Sequence, residues 1–221
     1  MIDVIYEDNH LLVVKKPINI LSQGDNTNDL DMVNLLKRYL KEKYNKPGNV
    51  FVGLIHRLDR PVGGIMVFAK TSKCASRLSE QVRNKTIKKT YKAVIHKTMD
   101  KKEGTLKDYL YKNKTTNMVS VVTKNHKEAK DAVLDYKTLA SNDEFSLVEI
   151  DLHTGRPHQI RVQFSSRNHP LYGDQRYGNS KVGEQIALWS YKLEFNHPTT
   201  KERLVFTCDT PNEYQWNLFK L

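Results

Sequence analysis

The alternation of apolar and polar positions predicts many short strands and a few amphipathic helices. Val4-Ile5-Tyr6 and Leu11-Leu12-Val13-Val14 are β-rich runs separated by Glu7-Asp8-Asn9-His10 and closed by Pro17, the pattern of a hairpin. Ser22 to Asp31 is polar, carries Gly24, and reads as a loop that ends by capping a helix. From Met32 to Tyr44 the apolar residues Met32, Leu35, Leu36, Tyr39 and Leu40 recur at helical spacing, with Lys37, Arg38, Lys41, Glu42 and Lys43 facing out and Pro47-Gly48 as the stop. A second helix is expected over Ser72 to Arg83, with Ser72 as N-cap and Ala75, Leu78 and Val82 on one face. Thr86 to His96 is a strand by its β-branched content, and Thr105 to Tyr111 and Met118 to Thr123 are further β-like pieces. Asp131 to Leu139 and Phe145 to Leu152 pair as a hairpin across Ala140-Ser141-Asn142-Asp143. His158 to Asn168 reads as a helix with Ile160, Val162 and Phe164 inward, after Gly155 and Pro157. A glycine-punctuated turn follows over Leu171 to Gly178, then a last hairpin of Ala187 to Phe195 with Leu204 to Cys208, and a closing helix within residues 211–219.

Strands and helices in this irregular order imply an α+β protein with a mixed, largely antiparallel sheet flanked by helices and loops. The length suits one domain over residues 1–221, and no repeat, low-complexity tract or linker divides it. Cys74 and Cys208 lie far apart, with no ligand-like spacing, which points away from a metal site and toward a reducing compartment. No apolar run approaches the roughly 20 residues of a membrane helix, and the N-terminus lacks a signal-peptide layout. A cytoplasmic protein with no membrane association, monomeric by default, is the expectation.

Charge changes the picture. Lys and Arg number 36 against 25 Asp and Glu, a net charge of +11, and such a surface attracts polyanions. The excess is clustered: Arg83, Lys85, Lys88, Lys89 and Lys92 flank Tyr91, and Arg156, His158, Arg161 and Arg167 lie close together further on. The chemistry-bearing stretch is Gly53 to Gly64, where Asp59 stands among His56, Arg57 and Arg60 between two strand-like runs. Neighbouring cations favour an ionised carboxylate, which suits a nucleophile or electrostatic partner better than a general acid. Pro61 and Gly63-Gly64 argue against a regular strand just after Asp59, so the carboxylate is expected on a tight loop.

His56-Arg57-Leu58-Asp59 followed by a small-residue turn resembles the catalytic motif of the RluA-type pseudouridine synthases. Three further stretches resemble that family's motifs in its order: Val13-Val14-Lys15-Lys16-Pro17, Lys89-Thr90-Tyr91-Lys92-Ala93, and Thr154-Gly155-Arg156-Pro157-His158-Gln159-Ile160-Arg161-Val162. The chain departs at Pro61-Val62-Gly63, where many members carry Thr-Ser-Gly or a similar turn, and it shows no separate S4-type RNA-binding module. The resemblance implies an isomerase that detaches uracil N1 from sugar C1′, turns the base and rejoins it through C5, with no cofactor or metal. It implies Asp59 as the carboxylate, Tyr91 against the uracil and at the C5 proton, and Arg161 as the partner of Asp59, with Arg156 the competing candidate whose place before the helix suits phosphate contact better. Arg57 would fill the space left by the flipped base. Arg156, Lys85, Lys88 and Lys89 would hold phosphates of an rRNA or tRNA partner, and His56 is given no proton-transfer role. Two rivals remain: a catalytically silent RNA-binding protein on the same fold, against which the intact Asp59 weighs, and a glycoside hydrolase. The latter needs a second carboxylate, for which Glu149, Asp151 and Asp174 are available but not in a recognised pair.

Overall fold

A computed structural model describes residues 2–219. In chain order the elements are β1 (Asp3–Glu7), β2 (Leu11–Lys16), α1 (Met32–Lys43), β3 (Gly53–Leu54), β4 (Gly63–Ala69), α2 (Ser72–Arg83), β5 (Lys88–His96), β6 (Glu103–Lys112), β7 (Val119–Val122), β8 (Lys130–Ser141), β9 (Phe145–Leu152), α3 (Gln159–Ser165), β10 (Leu188–Asn196), β11 (Arg203–Thr207) and α4 (Tyr214–Asn217). This is the sheet-dominated α+β class expected from the pattern. The chain packs as two compact units, Met1–Lys88 with Ser190–Asp209, and Lys89–Trp189 with Thr210–Leu221. No helix among the described residues is long and apolar enough to cross a membrane.

In the first unit β2 pairs antiparallel with β1 on one side and β4 on the other, β3 adds to β4, and β10 pairs with β11. All seven residues of β4 are buried, which explains its unbroken apolar run Ile65 to Ala69. Strand β4 starts at Gly63, contrary to the expectation that the glycine pair excludes a strand there. Gly64 has φ +116°, and a Cβ on it would lie 2.3 Å from the Ser190 carbonyl oxygen, so the glycine lets two backbones approach rather than breaking the strand.

Helix α1 begins where predicted because Asp31 Oδ1 accepts from the Asn34 N–H at 3.0 Å. It buries Met32, Leu36 and Leu40. In α2 the cap is Thr71, one residue earlier than expected: its hydroxyl accepts from the Cys74 N–H, and Ser72 is already helical. That helix packs on β3 and β4 through Cys74 and Leu78, while Val82 is exposed.

The second unit holds the antiparallel run β5-β9-β8-β6-β7. Strand β6 is longer than the piece expected from the sequence, and β8 carries an irregularity between Thr138 and Ala140 before a turn stitched by Asn142 Oδ1. Helix α3 lies against β6 and β7, where Val162 joins Leu110, Val119 and Ala132 in an apolar cluster covered by Tyr177. It is shorter than predicted at both ends. His158 adopts φ +51°, outside the helical region, and beyond Ser165 the backbone bonds tighten as the Arg167 N–H donates to the Phe164 carbonyl. The closing helix is a single turn, Tyr214–Asn217.

Candidate active site

Asp59 sits half-buried on the loop between β3 and β4, and the loop is held from below. The Val62 N–H donates to the Asp59 carbonyl at 3.0 Å, closing a tight turn through Arg60 and Pro61. Ser22 and Leu58 exchange two bonds: the Ser22 hydroxyl donates to the Leu58 carbonyl at 2.8 Å and accepts the Leu58 N–H at 3.0 Å. Under the turn lies Lys16, 0% exposed. Its Nζ donates to the carbonyls of Pro17, Arg60 and Val62 at 2.9, 3.1 and 2.8 Å. The unusual Pro61-Val62-Gly63 turn is therefore hydrogen-bonded through its backbone, and requires no Thr or Ser hydroxyl.

Burial drives the Lys16 ammonium down to about 7, with the charge of Asp59 pulling it back up and Arg60 pushing further down. The other cations near Asp59 in the sequence are engaged elsewhere. Arg57 donates from Nε and Nη2 to Gln23 Oε1 at 3.0 and 2.5 Å, Arg60 pairs with Asp29 at 2.7 Å, and His56 Nε2 accepts the Val67 N–H. That last bond puts the His56 proton on Nδ1 and fits a structural role. Lys85 is an exposed residue at φ +55° after α2, and Lys88 is exposed at the start of β5.

In the second unit Tyr91 is buried in β5, its backbone paired with Ile150 of β9. Strand alternation puts Lys89 on the same face as Tyr91, and Lys88 and Lys92 on the other, so the lysine cluster read from the sequence is split between two faces. The Lys89 Nζ lies 3.2 Å from where a Gly155 Cβ would be, and burial lowers its pKa. Among the described residues it has no ion-pair partner. Arg156, by contrast, is spoken for: Nε donates to the Asp131 carbonyl and Nη2 to its carboxylate, both at 2.8 Å.

Arg161 is 6% exposed on α3. Asp174 grips one edge of its guanidinium, Nε to Oδ2 at 2.8 Å and Nη2 to Oδ1 at 2.7 Å, and the Tyr177 ring lies 5.1 Å from Cζ. Burial would raise the Asp174 carboxyl, but Arg161 and the backbone N–H groups of Arg176 and Tyr177 outweigh it and hold the group ionised. The carboxylate set aside in the sequence for want of a pair is thus paired with an arginine, which leaves it no proton to give as a glycosidase acid.

Sequence reasoning gave no role to Ser22 or Tyr177, quoted Lys16 only within a motif, and offered Asp174 only as a spare carboxylate for a glycosidase. Lys16 has a faint signal, since two-residue alternation places it with Leu12 and Val14 on the inner side of β2. Of the expected site residues, Asp59, Arg57, Lys85 and Lys88 belong to the first unit, and Tyr91, Lys89, Arg156 and Arg161 to the second.

The α+β fold presents a carboxylate on a pinned loop in a strongly basic chain, a surface that attracts polyanions. The chain belongs to the RNA pseudouridylate synthase family, which matches it over residues 10–166, and it is an isomerase of RNA uridine. It is 34% identical over 214 residues to the uncharacterized RNA pseudouridine synthase YhcT of Bacillus subtilis, covering 95% of this chain and 69% of that one. To the tRNA pseudouridine synthase C of Haemophilus influenzae it is 30% identical, covering 97% and 95%. The ribosomal large subunit pseudouridine synthase D of Neisseria meningitidis is 32% identical, with 96% of this chain and 59% of that one covered. The fold is similar to that of human RNA Pseudouridylate Synthase Domain Containing 4, with a TM-score of 0.80 at 22% identity over 95% of this chain and 89% of that one.

Proposed function

We propose that Asp59 is the reacting carboxylate of this isomerase, with Tyr91 and Arg161 completing the site, and that the substrate is a flipped-out uridine of rRNA or tRNA. Relatives named for tRNA and for the large ribosomal subunit support that pair of substrates. The observation that carries the assignment is the pinned turn: Lys16, Ser22 and Val62 fix the backbone on both sides of Asp59. A surface ion pair has no need of such support, whereas a catalytic group held in one geometry does.

Asp59 either attacks C1′, forming an ester bond that breaks again when C5 attacks, or removes the C2′ proton to give a glycal and returns that proton to C2′ as C5 joins C1′. In both routes the N1–C1′ bond breaks, the uracil turns, and C5 joins C1′. The C5 proton then leaves, N1 ends protonated, and the atoms balance with nothing oxidised. Tyr91 stacks on the base and takes the C5 proton. Arg161 orients the carboxylate. Arg57 occupies the vacated stack, and Arg156, Lys85, Lys88 and Lys89 contact phosphates. The protein works as a cytoplasmic monomer in this reading.

The test is Asp59→Asn, which keeps the shape but loses the nucleophile and base. On rRNA and tRNA transcripts carrying tritium at uracil C5, release of tritium to water should cease while RNA affinity and melting stay near wild type. Release at the wild-type rate would remove Asp59 from the mechanism.

A further inference from the structure

We infer that Asp174 is a positioning residue for this reaction, fixing the guanidinium of Arg161 in one orientation from the turn Asp174 to Tyr177. The inference rests on the reading of Arg161 as the partner of Asp59.

Arginine is a long side chain with considerable rotamer freedom, so a guanidinium that must meet a reacting carboxylate in one geometry has to be ordered beforehand. Asp174 and Tyr177 supply that order from two directions. The carboxylate engages the Nε and Nη2 edge, and the Tyr177 ring covers one face. Both charged side chains are nearly or wholly removed from solvent, at 7% exposure for Arg161 and 0% for Asp174.

The turn itself is boxed in. Asp174 Oδ1 also accepts the N–H groups of Arg176 and Tyr177 at 3.0 and 3.1 Å. The Tyr177 hydroxyl accepts the Val119 N–H and meets Nδ1 of His158, the residue just before α3. Gly173 has φ +70°, with the Gln185 carbonyl oxygen 2.2 Å from where its Cβ would be, and a Cβ on Gly178 would lie 2.8 Å from the Asp174 carbonyl oxygen. Neither glycine has room for a side chain. With four donors on its two oxygens the Asp174 carboxylate is saturated, so its influence on RNA chemistry passes through Arg161. The turn lies 13 residues from Arg161 in the chain, so α3 alone does not dictate where the guanidinium points.

The experiment uses the full chain, the same tritiated rRNA and tRNA transcripts, single-turnover rates and a separate RNA-binding titration. Asp174→Asn should slow the reaction roughly 10- to 100-fold with affinity changed by less than about 2-fold, the pattern of an interaction that matters in the transition state. In an Arg161→Lys background the same substitution should have almost no further effect, because it acts on a group already replaced. Wild-type rates for Asp174→Asn, or an equal loss in both backgrounds, would overturn the inference. Asp174→Glu, which keeps the charge but displaces it by one methylene, is the second variant. It should fold and be slow; a folded Asp174→Glu with the wild-type rate, or failure of both variants to fold, would also overturn the inference. Arg161→Lys alone separates the two readings: wild-type activity there defeats the role of Arg161 itself, whereas a slow Arg161→Lys beside fast Asp174 variants defeats only the role of Asp174.

Discussion

Replacing Lys16 by Met tests the support beneath Asp59. Methionine fills similar volume without a donor, so the carbonyls of Pro17, Arg60 and Val62 lose their partner. The bond to Val62 is fully buried, and a carbonyl left dry costs about 1–3 kcal/mol. The bonds to Pro17 and Arg60 lie where water has partial access, and cost less. Against this stands relief from a buried charge. A lysine lowered from 10.5 to about 7 carries a folded-state penalty for the charged form of roughly 5 kcal/mol. Below pH 7 the two effects nearly cancel, and Lys16→Met should cost little stability.

Above pH 7 they separate, and the sign is fixed. The folded value lies below the unfolded one, so the unfolded chain binds more protons between about 7 and 10.5, and wild-type stability rises with pH across that window. The contribution is complete above 10.5 and is lost as pH falls through 7. The stability difference between wild type and Lys16→Met should therefore grow by roughly 3 kcal/mol from pH 6 to pH 9. Urea unfolding of both proteins at pH 6, 7.5 and 9 measures it, and other titrating groups cancel in the difference. In an Asp59→Asn background the rise should begin at lower pH, because the charge that pulls Lys16 upward is gone. A difference that stays constant from pH 6 to 9 would refute the account of Lys16 as a buried, Asp59-coupled ammonium.

Tyr91→Phe keeps the ring but loses the hydroxyl, so RNA binding should persist while tritium release becomes very slow; full activity would leave Tyr91 a stacking residue only. Arg57→Ala should slow reaction on a structured stem-loop much more than on a loosely structured RNA with the same target, since flipping from a stack costs a few kcal/mol and is least for an unpaired base. Lys85→Ala should instead weaken both alike and lower the salt dependence of binding. Equal loss on both RNAs with a lowered salt slope for Arg57→Ala would make that residue a phosphate contact.

Periodicity and turn residues in the sequence determined where most elements lie. The β-branched content of β5, the apolar–polar alternation of β8 and β9 and the helical spacing of Met32, Leu36 and Leu40 are local, and local windows suffice to read them. The family was legible too: the four stretches that resemble its motifs all lie within residues 10–166, which the family matches. Errors came where a neighbour distant in the chain decides the outcome. Gly64 looked like a breaker because Ser190, which needs its missing side chain, is 126 residues away. Tertiary structure alone decided which charges meet. Arg57 and Arg60 adjoin Asp59 in the chain but bond to Gln23 and Asp29, whereas Lys16, more than 40 residues before the turn, lies beneath it. Asp174 likewise meets Arg161 only because the turn after α3 folds back over that helix. For Lys16, Arg161 and Asp174 the physical reason is the same: a buried charge must find polar partners, and packing selects them by distance in space, which sequence spacing does not carry.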